Sequence, residues 1–155
     1  MTQICSKGSI FDSGAEIIIN PINCVGIMGA GLALEFNRRY PIMNNVYKRM
    51  CHRKLIQLGK VWVWHEHEGP CGIEPCRYIV NFPTKDHWRD RSQLKWIAEG
   101  LDDFKNHSEI LNAKSIAIPA LGCGFGGLSF DNVRALVVDR FKEDKRKISL
   151  FTPRS

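Results

Sequence analysis

The chain has 155 residues, 44% of them hydrophobic, and a formal charge of +6 from 22 Lys and Arg against 16 Asp and Glu. That supports one full core and is short for two, so a single domain over residues 1–155 is expected. No apolar run approaches a membrane span and the start, MTQICSKGS, lacks the apolar core of a secretory signal, so no membrane partner and a cytoplasmic setting are expected; the six scattered cysteines then read as reduced thiols, and the basic balance favours a polyanionic partner.

Residues 3–11 predict a short first strand and a turn punctuated by Gly8-Ser9. Ala15–Asn20 is apolar without alternation, as in a strand covered on both faces. It leads through Gly26, Gly29 and Gly31 into a helix marked by Leu32, Ala33 and Phe36, which Tyr40-Pro41 interrupts. A second helix is expected from Pro41 to about Arg53, with Pro41 at its first position. Lys60–His67 alternates like a half-buried strand, Glu68–Cys76 reads as a loop, and Arg77–Phe82 as a further strand. PTKDHWRDRS follows as a polar loop, and Leu94, Ile97, Leu101 and Phe104 then mark an amphipathic helix to about His107. Ser115–Pro119 is a buried strand feeding a second glycine loop, LGCGFGG. The next helix carries Val133, Leu136, Val137 and Phe141, with Ser129 or Asp131 as its N-cap, and Ile148–Thr152 closes the chain as a strand. Strands alternating with helices predict an α/β fold, a three-layer α/β/α domain around a central mixed sheet. In such folds ligands collect at the carboxyl ends of the strands, so the two glycine loops should line one cleft.

Neither loop is a standard nucleotide motif. The first spells Gly26-x-x-Gly29-x-Gly31 rather than G-x-G-x-x-G, and the second lacks the Lys-Ser/Thr pair of a triphosphatase. Two glycine loops leaving strands and entering helices nonetheless suit a diphosphate, because each gathers backbone N–H groups near a helix dipole. The amide of Asn20 reads most simply as closing an Asx turn at the strand end, while Asn23, at the loop itself, is better placed to bond a sugar hydroxyl. Lys85 reads either as part of a solvated basic loop or as an amine nucleophile toward a sugar aldehyde, if burial or nearby cations lower its pKa. Trp88, Arg89 and Arg91, with His87 beside them, suit stacking on a base and gripping a nucleic-acid backbone. His65, His67, Cys71 and Cys76 fit no standard zinc spacing, so no metal is expected. Cys123 reads as a small residue tolerated by a tight loop, or as a low-pKa thiol.

Taken together, IIINPIN-CVGIMGAGLALEF, YIVNFPTKDHWRDRSQL and IAIPALGCGFGGLSF resemble a macrodomain, the ADP-ribose-binding module. The likeness is to the DarG-type antitoxin macrodomains, which remove ADP-ribose from thymine bases of DNA modified by DarT-type toxins, and more distantly to the terminal ADP-ribose protein glycohydrolase. The resemblance covers nearly the whole chain and implies an ADP-ribosyl hydrolase without a cofactor, monomeric, in a bacterial or virus-infected bacterial cytoplasm. Its partners would be ADP-ribose and ADP-ribosylated DNA, the product of the toxin rather than the toxin itself. Lys85 would be catalytic, with Asn23 at the distal ribose. ADP-ribose would contact Ser9, Ile10, Asn20, Gly29, Ala30, Gly31, Leu121, Gly122, Cys123, Gly124, Phe125, Gly126 and Phe151, and His87, Trp88, Arg89 and Arg91 would meet the DNA. The protein glycohydrolase pairs its lysine with an aspartate after the second loop's G-C-G run; here that place is Gly126. The Gly-Asp step that commonly reads adenine is Gly8-Ser9 here, which leaves adenine to backbone near Ile10 and stacking by Phe151. DarG-type proteins also carry a second, toxin-binding domain, so the chain reads as an excised module or a free-standing version. The alternatives are a non-catalytic ADP-ribose reader, a hydrolase of ADP-ribosylated protein or of ADP-ribose 1″-phosphate and, more remotely, a redox enzyme.

Overall fold

A computed structural model describes residues 1–66 and 77–153. Three consecutive isoleucines, Ile17, Ile18 and Ile19, are all fully buried, which only a strand covered on both faces allows. They open β2 (Ile17–Asn23), which lies inside a six-stranded sheet with β1 (Thr2–Cys5), β3 (Trp62–Glu66), β4 (Arg77–Lys85), β5 (Ser115–Ile118) and β6 (Lys147–Phe151). The order is β1-β6-β5-β2-β4-β3; every pairing is parallel except that of the edge strand β3 with β4.

Alternation within β2 assigns its side chains to two cores. Ile17 and Ile19 face α3 (Leu94–Phe104) and α4 (Phe130–Arg140), where Ile97, Leu101, Val133 and Val137 are fully buried. Ile18 and Ile22 face α1 (Gly31–Arg39) and α2 (Pro41–His52), through Phe36, Met43 and Tyr47. Each such side chain contributes about 1.5–3 kcal/mol by leaving water, so the sheet is held from both faces. The result is the expected three-layer α/β/α domain on a mixed sheet. Among the described residues no helix is long and apolar enough to cross a membrane.

Several boundaries differ from the sequence reading. β2 continues through both asparagines instead of stopping at Asn20, and β4 continues through Pro83 and Thr84 to Lys85 instead of stopping at Phe82. The two extensions pair with each other as a parallel ladder, a non-local fact that local composition does not carry. Proline is tolerated there because β3 pairs with β4 only as far as Asn81, leaving the rest of β4 an edge. α3 ends at Phe104, short of His107. Ser129, not Asp131, holds the N-cap position of α4, without a side-chain cap bond.

Candidate active site

Because β1, β6, β5, β2 and β4 all run the same way, their carboxyl ends share one edge of the sheet. The segments leaving β2, β4 and β5 meet there. The loop after β2, residues 24–30, is organised by Asn23, which is 5% exposed. Its Oδ1 accepts the backbone N–H groups of Val25 (3.1 Å), Gly26 (3.2 Å) and Ile27 (3.4 Å) and the hydroxyl of Tyr47 (2.8 Å), and its Nδ2 donates to the Ile27 carbonyl (2.8 Å). The Tyr47 hydroxyl also lies 2.8 Å from the Asn23 carbonyl, tying the loop to α2. One amide side chain thus builds the front half of the loop.

The turn-closing role expected of Asn20 falls to Asn23. Asn23 closes the turn, its oxygen is fully used, and only one amide hydrogen remains for a ligand. That makes it a positioning residue in this structure. Asn20 makes no Asx turn and is fully buried within β2, so it presents nothing to ADP-ribose. Its Nδ2 donates to Asn81 Oδ1 (3.0 Å), its register partner on β4. Asn20 Oδ1 is buried without a partner, and the single amide–amide bond forms in one alignment of the two strands, the register that puts Asn23 opposite Lys85.

In the back half of the first loop the N–H groups of Gly29, Ala30 and Gly31 have no acceptor among the described residues, and Ala30 gives α1 no side-chain cap. These donors at a helix start are what an anion requires. The loop after β5 supplies more: among the described residues the N–H groups of Gly122, Gly124, Phe125 and Gly126 have no acceptor. Their neighbours are consumed internally, with Cys123 N–H bonded to the Ala120 carbonyl (3.1 Å), Gly127 N–H to Gly124 (3.2 Å) and Leu128 N–H to Gly122 (2.9 Å). Leu121 drops out as a ligand contact. Its side chain is fully buried and its N–H is taken by the Pro119 carbonyl (2.8 Å).

Close packing holds this second loop. A Cβ on Gly126 would collide with Ser92 Oγ and with the Gly122 carbonyl, and one on Gly122, at φ +73°, would lie 2.7 Å from Leu128 Cδ1. Ser92 also donates its N–H to the Gly126 carbonyl (3.0 Å). The position at which the protein glycohydrolase carries an aspartate therefore has no room for any side chain here. Burial pushes the Cys123 thiol up to about 11, so it stays protonated and the low-pKa reading falls.

Lys85 stands where the two loops approach. It ends β4 as a register partner of Asn23, not in an open loop, and the register shifts after the Ile22–Pro83 pair, so that Thr84 is the extra residue. Such a bulge re-aims the side chain that follows it. The amine points across to the second loop, 5.9 Å from the centroid of Phe125, whose side chain is 80% exposed at the loop tip. From the other side Cys24 N–H bonds the Asp86 carbonyl (2.8 Å), joining the first loop to the residue after the lysine. Partial burial pulls the Lys85 pKa below the ordinary lysine value, and the charge of Asp90 pulls it partly back. Nucleophilic amine chemistry needs this direction of shift.

The turn at 86–90 holds His87, Trp88 and Arg89 together. The His87 and Trp88 rings are 5.3 Å apart and the Arg89 guanidinium lies 4.7 Å from the Trp88 ring. Arg91 parts from them and lies against Gly127 of the second loop. On the opposite flank Ser9 caps a 3-10 turn at Ile10–Asp12, its Oγ accepting Phe11 N–H (3.2 Å). Ile10 is buried, and Phe151, partly buried, ends β6 beside β1. His67, Cys71 and Cys76 lie outside the described residues, while His65 stacks on Tyr78 at 4.2 Å. Tyr47 and Ser92, which brace the two loops, had no signal beyond a helical apolar face and a polar loop.

Two anion-ready loops at the carboxyl edge of a mixed sheet, with a lysine between them, belong to a known class of domain. Residues 19–137 match the Macro domain family, and the chain belongs to it. More narrowly, it is 37% identical to the macrodomain of Mycobacterium tuberculosis DarG and superposes on it with a TM-score of 0.89, over 100% of this chain and 99% of that one. It is 28% identical to Thermosipho africanus DarTG in complex with ADP-ribose, with a TM-score of 0.85 over 94% of this chain and 40% of that one. The DNA ADP-ribosyl glycohydrolase of Mycobacterium tuberculosis is 40% identical over 139 residues, or 88% of this chain, and the chain spans 38% of that protein's length.

Proposed function

We propose that the chain is a hydrolase that binds ADP-ribose between its two glycine loops and removes it from thymine bases of DNA, with Lys85 as the nucleophile. The observation that carries the proposal is the position of the Lys85 amine, partly desolvated and turned toward Phe125 at the mouth of the two loops. The unbonded N–H groups at 29–31, 122 and 124–126 would take the diphosphate. The distal ribose would then lie by Asn23, with its anomeric carbon toward Lys85. In its neutral form the amine would attack that carbon as the bond to the base breaks, the electron pair and a proton going to the departing base. Water would then add at the same carbon and expel the amine, giving ADP-ribose and the unchanged lysine. The relatives named as DNA ADP-ribosyl glycohydrolases support the reaction class and the DNA substrate.

The test is incubation with a single-stranded oligonucleotide carrying one ADP-ribosylated thymidine, followed by chromatography for ADP-ribose and unmodified oligonucleotide. Release of both is expected. Binding of ADP-ribose with no release from the oligonucleotide would leave a reader, and release from modified protein alone would move the substrate class.

A further inference from the structure

A cleft lies between the front half of the first loop and the end of α2. Residues 24–26, the C-terminal half of α2 and the turn after it border an open cleft of about 880 Å³, lined by Lys48, His52, Lys54, Gln57, Cys24 and Asp86 among others. That volume is in the range of about 300–1,000 Å³ typical of ligand sites. It begins one residue from the amine assigned to the chemistry, since Asp86 follows Lys85 and its carbonyl holds Cys24 N–H.

The charge here is unspent. Lys48 and Lys54 stand in the wall, with Arg49 and Arg53 beside them on the exposed end of α2. Among the described residues none of these cations forms an ion pair, whereas Arg140, Lys142 and Arg146 are each paired with an aspartate. Burial pushes the Cys24 thiol up to about 12 and the Cys51 thiol up to about 11, so both remain neutral and Asp86 is the one carboxylate in the lining.

Lys54 adds a backbone observation. The end of α2 is a Schellman motif: Leu55 N–H bonds the Met50 carbonyl (2.9 Å) and Lys54 N–H the Cys51 carbonyl (2.9 Å). This geometry requires a left-handed residue, for which glycine is the economical choice. Lys54 occupies it at φ +58°, the one non-glycine residue with positive φ among those described. A lysine kept where it strains the chain, facing an unpaired basic cleft, points to a role for its side chain.

We infer that this cleft holds the sugar-phosphate backbone of the DNA strand flanking the modified base, with Lys48 and Lys54 on its phosphates. The inference rests on the reading of the chain as acting on ADP-ribosylated DNA. The strand passes the Lys85 position, with the exposed Trp88–Arg89 pair as a further contact on the same turn as Asp86.

The test compares wild type with Lys48→Ala and Lys54→Gly. Anisotropy with an unmodified single-stranded oligonucleotide reads strand binding without any chemistry, and hydrolysis of ADP-ribosyl-thymidine nucleoside, which has no flanking phosphates, reads the chemistry without the strand. Each variant should weaken oligonucleotide binding by about 3–10-fold and lower the slope of log K against log salt by about 0.7, as for one phosphate contact on a single strand. Hydrolysis of the nucleoside should be unchanged. Lys54→Gly relieves the left-handed strain, so its melting temperature should stay level or rise while binding falls, a combination that a purely structural role does not produce. Unchanged oligonucleotide affinity and salt slope in both variants would overturn the inference. If wild type binds the oligonucleotide through these lysines but hydrolyses neither substrate, the catalytic reading fails and the cleft assignment stands.

Discussion

The two glycine loops, both at the carboxyl edge of the sheet, are held in shape by opposite means. The first is held by bonds: one buried side chain, Asn23, accepts the N–H groups of three successive residues and is pinned by Tyr47. The second is held by missing atoms, with Gly122 and Gly126 packed so closely against Leu128 and Ser92 that no Cβ fits. Both leave a run of unbonded N–H groups. The first loop should therefore fail when a polar anchor is removed, and the second when a side chain is added.

The largest effect is expected on the second loop. Gly126→Asp restores the residue type of the protein glycohydrolase, yet its Cβ must displace Ser92 and the Gly122 carbonyl. An overpacking cost of about 1–3 kcal/mol, expressed in the loop proposed to hold the diphosphate, predicts ADP-ribose affinity lower by about 10–100-fold in calorimetry. Retained affinity would show that this loop yields easily and would break the contrast.

Asn23→Ala removes the anchor of the first loop and strands three N–H groups, that of Gly26 buried and those of Val25 and Ile27 partly so, at a cost of about 2–3 kcal/mol. For a domain of this size that lowers the melting temperature by roughly 4–12 °C, with weaker ADP-ribose binding besides. A melting temperature equal to wild type would mean that the loop holds its shape without the amide.

The smallest effect sharpens the point where the two loops meet. Asp90 raises the pKa of Lys85 against the lowering by burial. Removing its charge lowers the lysine pKa further, so the neutral amine is populated at lower pH. Asp90→Asn keeps an oxygen for the His87 N–H it now accepts (3.0 Å) and should move the rising limb of the pH–rate profile toward acid. A limb that stays in place would separate Asp90 from Lys85.

Much of the architecture was legible locally. The unalternating isoleucines gave a doubly covered strand, Pro41 gave the start of α2, and the glycine loops marked where the chain leaves β2 and β5. What was hidden depends on strand pairing. Nothing near Pro83 reveals that β4 continues past it to Lys85, because the continuation is set by a ladder with residues some sixty positions earlier. The same pairing buries Asn20 against Asn81 and leaves Asn23 to close the turn expected of Asn20. Tyr47 lies at core spacing on α2, and its hydroxyl bond to Asn23 is invisible without the fold. Resemblance to macrodomains supplied the assignment of Lys85; the residues alone left a solvated loop open.

The central claim is that the loops hold and Lys85 breaks the bond. Its most direct measurement is single-turnover release of ADP-ribose from an ADP-ribosylated thymidine oligonucleotide by Lys85→Ala, with ADP-ribose binding followed by calorimetry on the same preparation. The account predicts affinity within about threefold of wild type and release slower by at least about 100-fold, the scale of losing an activated catalytic group. Release at the wild-type rate with binding intact would contradict it.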